Sequence, residues 1–191
     1  MILYERYRGV EVFMQKTYLC IDLKSFYASV ECVELGLDPF EVNLVVADPT
    51  RGGGAITLAA TPAIKKLGVS SRGRIFEIDP KIEYMITPPR MHLYMEYSCK
   101  VYKVFLEFIA KEDIHVYSID ESFLDITSYL KLYQVNAKEL AKKILDRIYE
   151  KTGLTATVGI GTNLYLAKIA MDISAKHNAD RMAYLNEDLY R

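Results

Sequence analysis

The 191-residue chain sets 24 lysines and arginines against 25 aspartates and glutamates, and 51% of it is hydrophobic. The near-cancelled charge removes the case for a duplex-binding face spread over the whole chain, because such binding rests on basic surface against phosphates; a local patch stays open. The hydrophobic share is ample for a core and fits one large domain or two small ones.

Residues 1–16 are mixed polar and aromatic and read as an N-terminal extension. Residues 17–23 (TYLCIDL) form a short apolar run with β-branched and aromatic members, predicted as a buried strand with Asp22 at its end. Ser25 is placed to N-cap a helix through residue 35, with Phe26, Ser29, Val30 and Val33 as its stripe and Gly36 as its stop. Residues 43–47 (NLVVA) predict a second buried strand, 48–54 (DPTRGGG) a loop, and 56–60 a further strand. Thr61-Pro62 opens a short helix carrying Lys65 and Lys66. Residues 69–87 are mixed, and Pro88-Pro89 precede a long helix to about residue 111. Two strands, 114–118 and 122–126, flank a turn at Ile119-Asp120-Glu121. A helix over 136–151, a strand over 154–160 and a helix over 163–175 containing Lys168 complete the chain. With the inserted segment set aside, the order predicts an α+β fold, a ferredoxin-like split βαβ sheet with helices on one face.

Cys20, Cys32 and Cys99 share no short spacing and read as inert, mostly buried thiols of a reducing, cytoplasmic setting. His92, His115 and His177 are scattered and propose no zinc site. No apolar run approaches the ~20 residues of a membrane span.

In a ferredoxin-like sheet the first strand and the hairpin are neighbours, so Asp22, Asp120 and Glu121 can converge at one end. Clustered carboxylates raise one another's pKa unless a cation neutralises them, and hard oxygens suit Mg²⁺. The first N–H groups of the helix after Asp22, at Phe26 and Tyr27, suit an anion. Lys65 and Lys168 each stand on a helix and could reach the same ligand. Taken alone, each of these residues equally reads as a cap, a solvated acid or a solvent-facing lysine.

Three strings sharpen this: IDLKSFYASVE (21–31), YSIDESFLDIT (117–127) and TVGIGTNLYLAKIA (157–170). In order and separation they resemble the signature blocks of Y-family translesion DNA polymerases, nearest to the UmuC/ImpB/MucB/SamB-like branch of Gram-positive bacteria. The resemblance implies a palm over 17–47 and 87–191 and a small inserted fingers subdomain over 48–86, with the thumb and little finger expected beyond this chain. It implies low-fidelity, template-directed transfer from a dNTP to a primer 3′-OH in damage tolerance. Two Mg²⁺ ions would be held by Asp22, Asp120, Glu121 and the Leu23 carbonyl, with the three carboxylates as catalytic residues. Tyr27 would be the steric gate against a 2′-hydroxyl. Phe26, Tyr27, Lys65 and Lys168 would meet the triphosphate, with Thr61 standing in for a hydroxyl lost at Ala59. Pro62 replaces an aromatic of some branches, and Lys65 offers a point charge where arginine would offer a fork. Implied partners are primer–template DNA, the dNTP and a sliding clamp bound through a C-terminal part outside this chain.

Against this stand three other readings. A nucleotidyl cyclase would carry a GGDEF-like hairpin. An RRM-type module would expose aromatics where this chain reads LCID and YSID. A catalytically incomplete or degenerate palm would bind nucleotide or DNA without synthesis.

Overall fold

The computed structural model describes residues 4–7, 10–13 and 15–190, the first two stretches as backbone alone. Of the expected N-terminal extension, residues 1–3, 8, 9 and 14 lie outside the described residues. The rest includes an antiparallel pair, β1 (Tyr4–Tyr7) and β2 (Val10–Phe13). There follow β3 (Tyr18–Leu23), α1 (Phe26–Glu34), β4 (Leu44–Val46), β5 (Ala59–Ala60), α2 (Pro62–Lys66), β6 (Met85–Thr87) and α3 (Met91–Leu106). The second half holds β7 (Ile114–Val116), β8 (Glu121–Asp125), α4 (Thr127–Tyr133), α5 (Ala137–Thr152), β9 (Ala156–Gly161), α6 (Leu164–Ile169), β10 (Met182–Leu185) and α7 (Glu187–Tyr190). The chain divides into two compact units, one of Met1–Asp22, Tyr102–Lys151 and Ala156–Arg191, the other of Leu23–Val101 with Thr152–Thr155.

The first unit is built on a five-stranded sheet in the order β10-β9-β3-β8-β7. Leaving β10 aside and counting along the chain, its strands stand as 4-1-3-2, the ferredoxin-like order that the sequence predicts. β3 and β8 run antiparallel with Leu19 opposite Leu124, Cys20 opposite Phe123 and Asp22 opposite Glu121. The expectation of helices on one face needs correction. β9 is buried at every position and β3 at Leu19, Cys20 and Ile21 in succession, the mark of a sheet covered on both sides. α6 and the π-helical stretch that continues it, Ala170–Ser174, lie over the Cys20–Phe123 face through Ala167 and Met171. Glycines allow that approach: a Cβ on Gly159 would stand 2.0 Å from the Ala167 carbonyl oxygen, and one on Gly161 2.3 Å from its nitrogen.

The predicted helix over 163–175 is not uniform. Asn163 caps α6 by accepting from the Leu166 N–H, but Ala170–Ser174 is wound as a π-helix and Ala175–His177 as a 3₁₀ turn. β10, which runs parallel to β9, is not foreshadowed by any strong strand run. On α5, which answers to the helix expected over 136–151, Leu140, Ile144, Leu145 and Ile148 form a buried stripe, and Arg147 reaches Glu107 just past the end of α3.

The second unit holds α1, a small sheet in the order β5-β4-β6, and α2. The strand expected over 56–60 shrinks to two residues: the Thr57 N–H bonds the Gly73 carbonyl, and Ala59 and Ala60 stand in register with β4. Glu31, at 2% exposure, accepts from the Arg90 guanidinium and the Tyr94 hydroxyl, and Glu34 accepts from Tyr97, tying α1 to α3. The helix that starts at Met91 ends at Leu106, five residues before the expected stop, and a 3₁₀ turn at Lys111–Asp113 leads into β7.

Candidate active site

The expected carboxylates lie in the first unit. Asp22 and Glu121 are directly opposed across β3 and β8, so their side chains leave the same face with Cβ atoms ~5 Å apart. Glu121 is the first residue of β8, not the apex of the turn. Ser118 shapes that turn: its hydroxyl accepts from the Glu121 N–H and donates to an Asp120 carboxylate oxygen at 2.7 Å. Opposed like charges are unfavourable, and here burial compounds the cost. Burial pushes the Asp22 carboxyl up to about 6; Lys176 pulls against this, and the charges of Asp120, Glu121 and Asp172 push with it.

Ammonium groups meet the acids. Lys168 Nζ stands 2.7 Å from Glu121 Oε1, and Lys176 Nζ 3.6 Å from Asp22 Oδ2. Burial disfavours a charged Lys168, yet the Glu121 carboxylate outweighs it and holds the ammonium well above the usual lysine range. The Cys20 thiol donates to Glu121 Oε1 at 3.3 Å, and burial followed by the Glu121 charge raises its pKa far above the usual thiol range. Beside Lys168 opens a cavity of about 440 Å³, walled by His115, Tyr117, Phe123, Tyr165 and Asp172.

The expected metal cluster is therefore corrected in one respect. Among the described residues no three acidic, histidine or cysteine side chains are gathered as a ready cation cage. Lysines occupy the oxygens of Asp22 and Glu121 instead. The donor set still fits a hard divalent cation: the oxygens are carboxylate, partly buried and mutually repelling, and positive charge already sits on them.

The other expected residues fall in the second unit. Ser25 precedes α1 with φ 50°, a left-handed backbone, and makes no side-chain cap, contrary to expectation. Its hydroxyl instead accepts from Lys65 Nζ at 2.9 Å, so Lys65 is brought to the start of α1 beside Phe26 and Tyr27. A serine held left-handed stores backbone strain, a cost found at ligand-gripping turns. The Tyr27 ring stacks on Tyr94 at 4.3 Å between centroids and 13° between planes. Thr61 is a correction: it is fully buried, donating to the Val42 carbonyl and accepting from the Leu44 N–H, so it braces the approach to β4 and faces no ligand.

Sequence reasoning missed Lys176, Asp172 and the Glu31–Arg90–Tyr94 group. The four-residue steps 168–172–176 and 90–94 were the available signal for both, since residues so spaced share a helix face.

The profile of the impB/mucB/samB family matches residues 21–172. The chain belongs to this family. That bears out the resemblance carried by the three sequence blocks. Among impB/mucB/samB relatives, UvrX of Bacillus subtilis (strain 168), whose name refers to UV-damage repair, is 41% identical over 174 residues, 90% of this chain and 40% of that protein. DNA polymerase IV 2 of the same strain is 38% identical over 178 residues, 91% of this chain and 42% of that one. The crystal structure of DinB from Sulfolobus solfataricus matches with a TM-score of 0.75 at 29% identity, over 90% of this chain and 49% of that one. The chain thus spans about two-fifths to one-half of the length of these three proteins.

Proposed function

We propose that this chain is the carboxylate-bearing palm and fingers part of a DNA-directed DNA polymerase acting in translesion synthesis. The observation that carries the reading is the direct opposition of Asp22 and Glu121, with Asp120 held beside them by Ser118, in a chain of the impB/mucB/samB family. Asp22, Asp120, Glu121 and the Leu23 carbonyl would hold two Mg²⁺ ions. Bound there, the ions would activate the attacking oxygen and neutralise charge on the leaving group. The palm is proposed over 17–47 and 87–191, and the fingers over 48–86.

In the reaction the primer 3′-oxygen bonds to the α-phosphorus of a dNTP as the bond to pyrophosphate breaks. The side chains hold and orient the reactants. Phe26 and Tyr27 offer the N–H groups of a helix start to the triphosphate. Lys65 and Lys168 supply positive charge to it. Tyr27, backed by Tyr94, is the proposed steric gate, its ring set against a 2′-hydroxyl. Primer–template DNA, dNTP and a sliding clamp are the proposed partners, and the cytoplasm the proposed setting. Among the described residues no helix is long and apolar enough to cross a membrane.

The test is Mg²⁺-dependent extension of a primed template by a chimera in which this chain replaces the matching segment of Bacillus subtilis DNA polymerase IV 2. Extension that is lost in the folded Asp120→Ala/Glu121→Ala form supports the reading. A folded chimera that binds template and never extends it refutes it. For the 191 residues alone, nucleotide binding without synthesis is the second reading, favoured by the two-fifths share of the relatives that they span.

A further inference from the structure

In the second unit a chain of polar contacts runs from the surface to the ring of Tyr27. Arg90, just ahead of α3 and 45% exposed at its side chain, sets Nε 3.1 Å from each oxygen of Glu31. Glu31 is 2% exposed, and its Oε1 also accepts from the Tyr94 hydroxyl at 2.6 Å. Tyr94 is fully buried, its ring stacked on that of Tyr27. Phe26 is tilted against both rings, 5.6 Å from Tyr27 and 6.3 Å from Tyr94. Tyr27 and Glu31 stand one turn apart on α1, and Arg90 and Tyr94 have the same four-residue step, so the two pairs face each other.

Holding α1 to α3 does not require an ion pair. Apolar side chains of similar volume commonly serve as well or better, because a buried carboxylate gives up its hydration. What the carboxylate adds is orientation. A short charge-assisted hydrogen bond fixes where the Tyr94 hydroxyl lies, and with it the plane of the ring. Arg90 in turn holds both carboxylate oxygens. Tyr94 cannot slide from under Tyr27 without leaving its buried hydroxyl unpaired. Refusing a 2′-hydroxyl, one oxygen atom in size, needs a ring that does not yield, and such a contact must be held within ~0.5 Å.

We infer that Glu31 is a positioning residue for sugar selection, acting through Tyr94 on the Tyr27 ring, and that Arg90 fixes its carboxylate for that task. The inference rests on Tyr27 being the steric gate, but Glu31 and Arg90 have no part in that reading.

The test is the ratio of kcat/KM for dCTP to that for CTP, opposite template guanine, in the chimeric polymerase. Glu31→Gln should lower the ratio about three- to tenfold, the size expected when one hydrogen-bonded contact loosens, and Tyr94→Phe should move it the same way. The triple variant Glu31→Met/Arg90→Leu/Tyr94→Phe replaces the polar chain by apolar side chains. It should keep the melting temperature of the parent and still lose discrimination, which separates positioning from packing. In a Tyr27→Ala background Glu31→Gln should lower the ratio no further, because both act through one ring. A merely structural role lowers both kcat/KM values in proportion, together with the melting temperature. That result, an unchanged ratio in the folded triple variant, or an additive loss in the Tyr27→Ala background overturns the inference alone. Tyr27→Ala that leaves the ratio unchanged overturns the gate and takes the inference with it, and a folded chimera that never extends a primer overturns the functional reading and both with it.

Discussion

Asp22→Asn should make the metal-free chain more stable at neutral pH while removing one of the proposed metal ligands. In the folded state burial, reinforced by the neighbouring acids, lifts the Asp22 carboxyl from 3.8 to about 6. At ~1.4 kcal/mol per pKa unit, holding it ionised above pH 6 costs about 3 kcal/mol. Asparagine carries no charge to hold, and Lys176 keeps Asp172 as a partner after the change. The sign follows from the raised value: between pH 3.8 and about 6 the folded chain binds more protons than the unfolded one. Stability therefore falls as pH rises through that window, and the wild type recovers the difference below pH 4. Urea unfolding in EDTA at pH 7.5 and at pH 4 measures it. With a slope of ~2 kcal/mol per molar urea the midpoint of the variant should lie ~1–2 M higher at pH 7.5, and near the wild type at pH 4. Saturating Mg²⁺ should narrow or reverse the gap, because only the intact carboxylate set gains the full stabilisation of the ligand. A variant midpoint at or below wild type at pH 7.5 without metal would refute the electrostatic account of the site.

Gly159→Ala should abolish soluble folded protein or cost more than ~3 kcal/mol, since its Cβ meets backbone, whereas Gly54→Ala, with open space around it, should melt as the wild type does. Tyr94→Phe should cost ~1–2 kcal/mol by thermal denaturation, because it takes a 2.6 Å hydrogen bond from a buried carboxylate. Tyr27→Ala, in the chimeric polymerase, should raise the incorporation of ribonucleotides relative to deoxynucleotides; unchanged sugar preference would make Tyr27 a packing residue on Tyr94.

The parts of the fold legible in the sequence are those where period and composition act together. The TYLCIDL run and the helix expected over 136–151 each name their element, because burial of a strand or a stripe is a local demand. The acids at 22, 120 and 121 were legible as strand-end residues, and the order of elements brought them together. Other features depend on what lies across the fold. Thr61 reads like any helix-opening threonine until β4 arrives to take both sides of its hydroxyl. Ser25 has the composition of an N-cap, but its left-handed backbone turns the hydroxyl away from the helix and toward Lys65. The switch from α to π winding at Ala170 has no signal in propensity, so only the four-residue steps from Lys168 to Asp172 and Lys176 pointed to that face. β10 forms because β9 offers it an edge, a partner absent from its own four residues.

The ties between α1 and α3 bear on how such a chain can change over time. Glu31 with Arg90 and Tyr94, and Glu34 with Tyr97, pin together the two points where the stretch containing β4, β5, α2 and β6 leaves and rejoins its supporting helices. With those ends stapled, lengthening or shortening the excursion alters closure entropy only logarithmically, ~0.6 kcal/mol per doubling. The excursion is thereby free to drift, be trimmed or be exchanged between homologues while its anchors stay put. It is the region where insertions should be borne most readily, and where a new surface could be grafted without disturbing the sheet that carries the carboxylates.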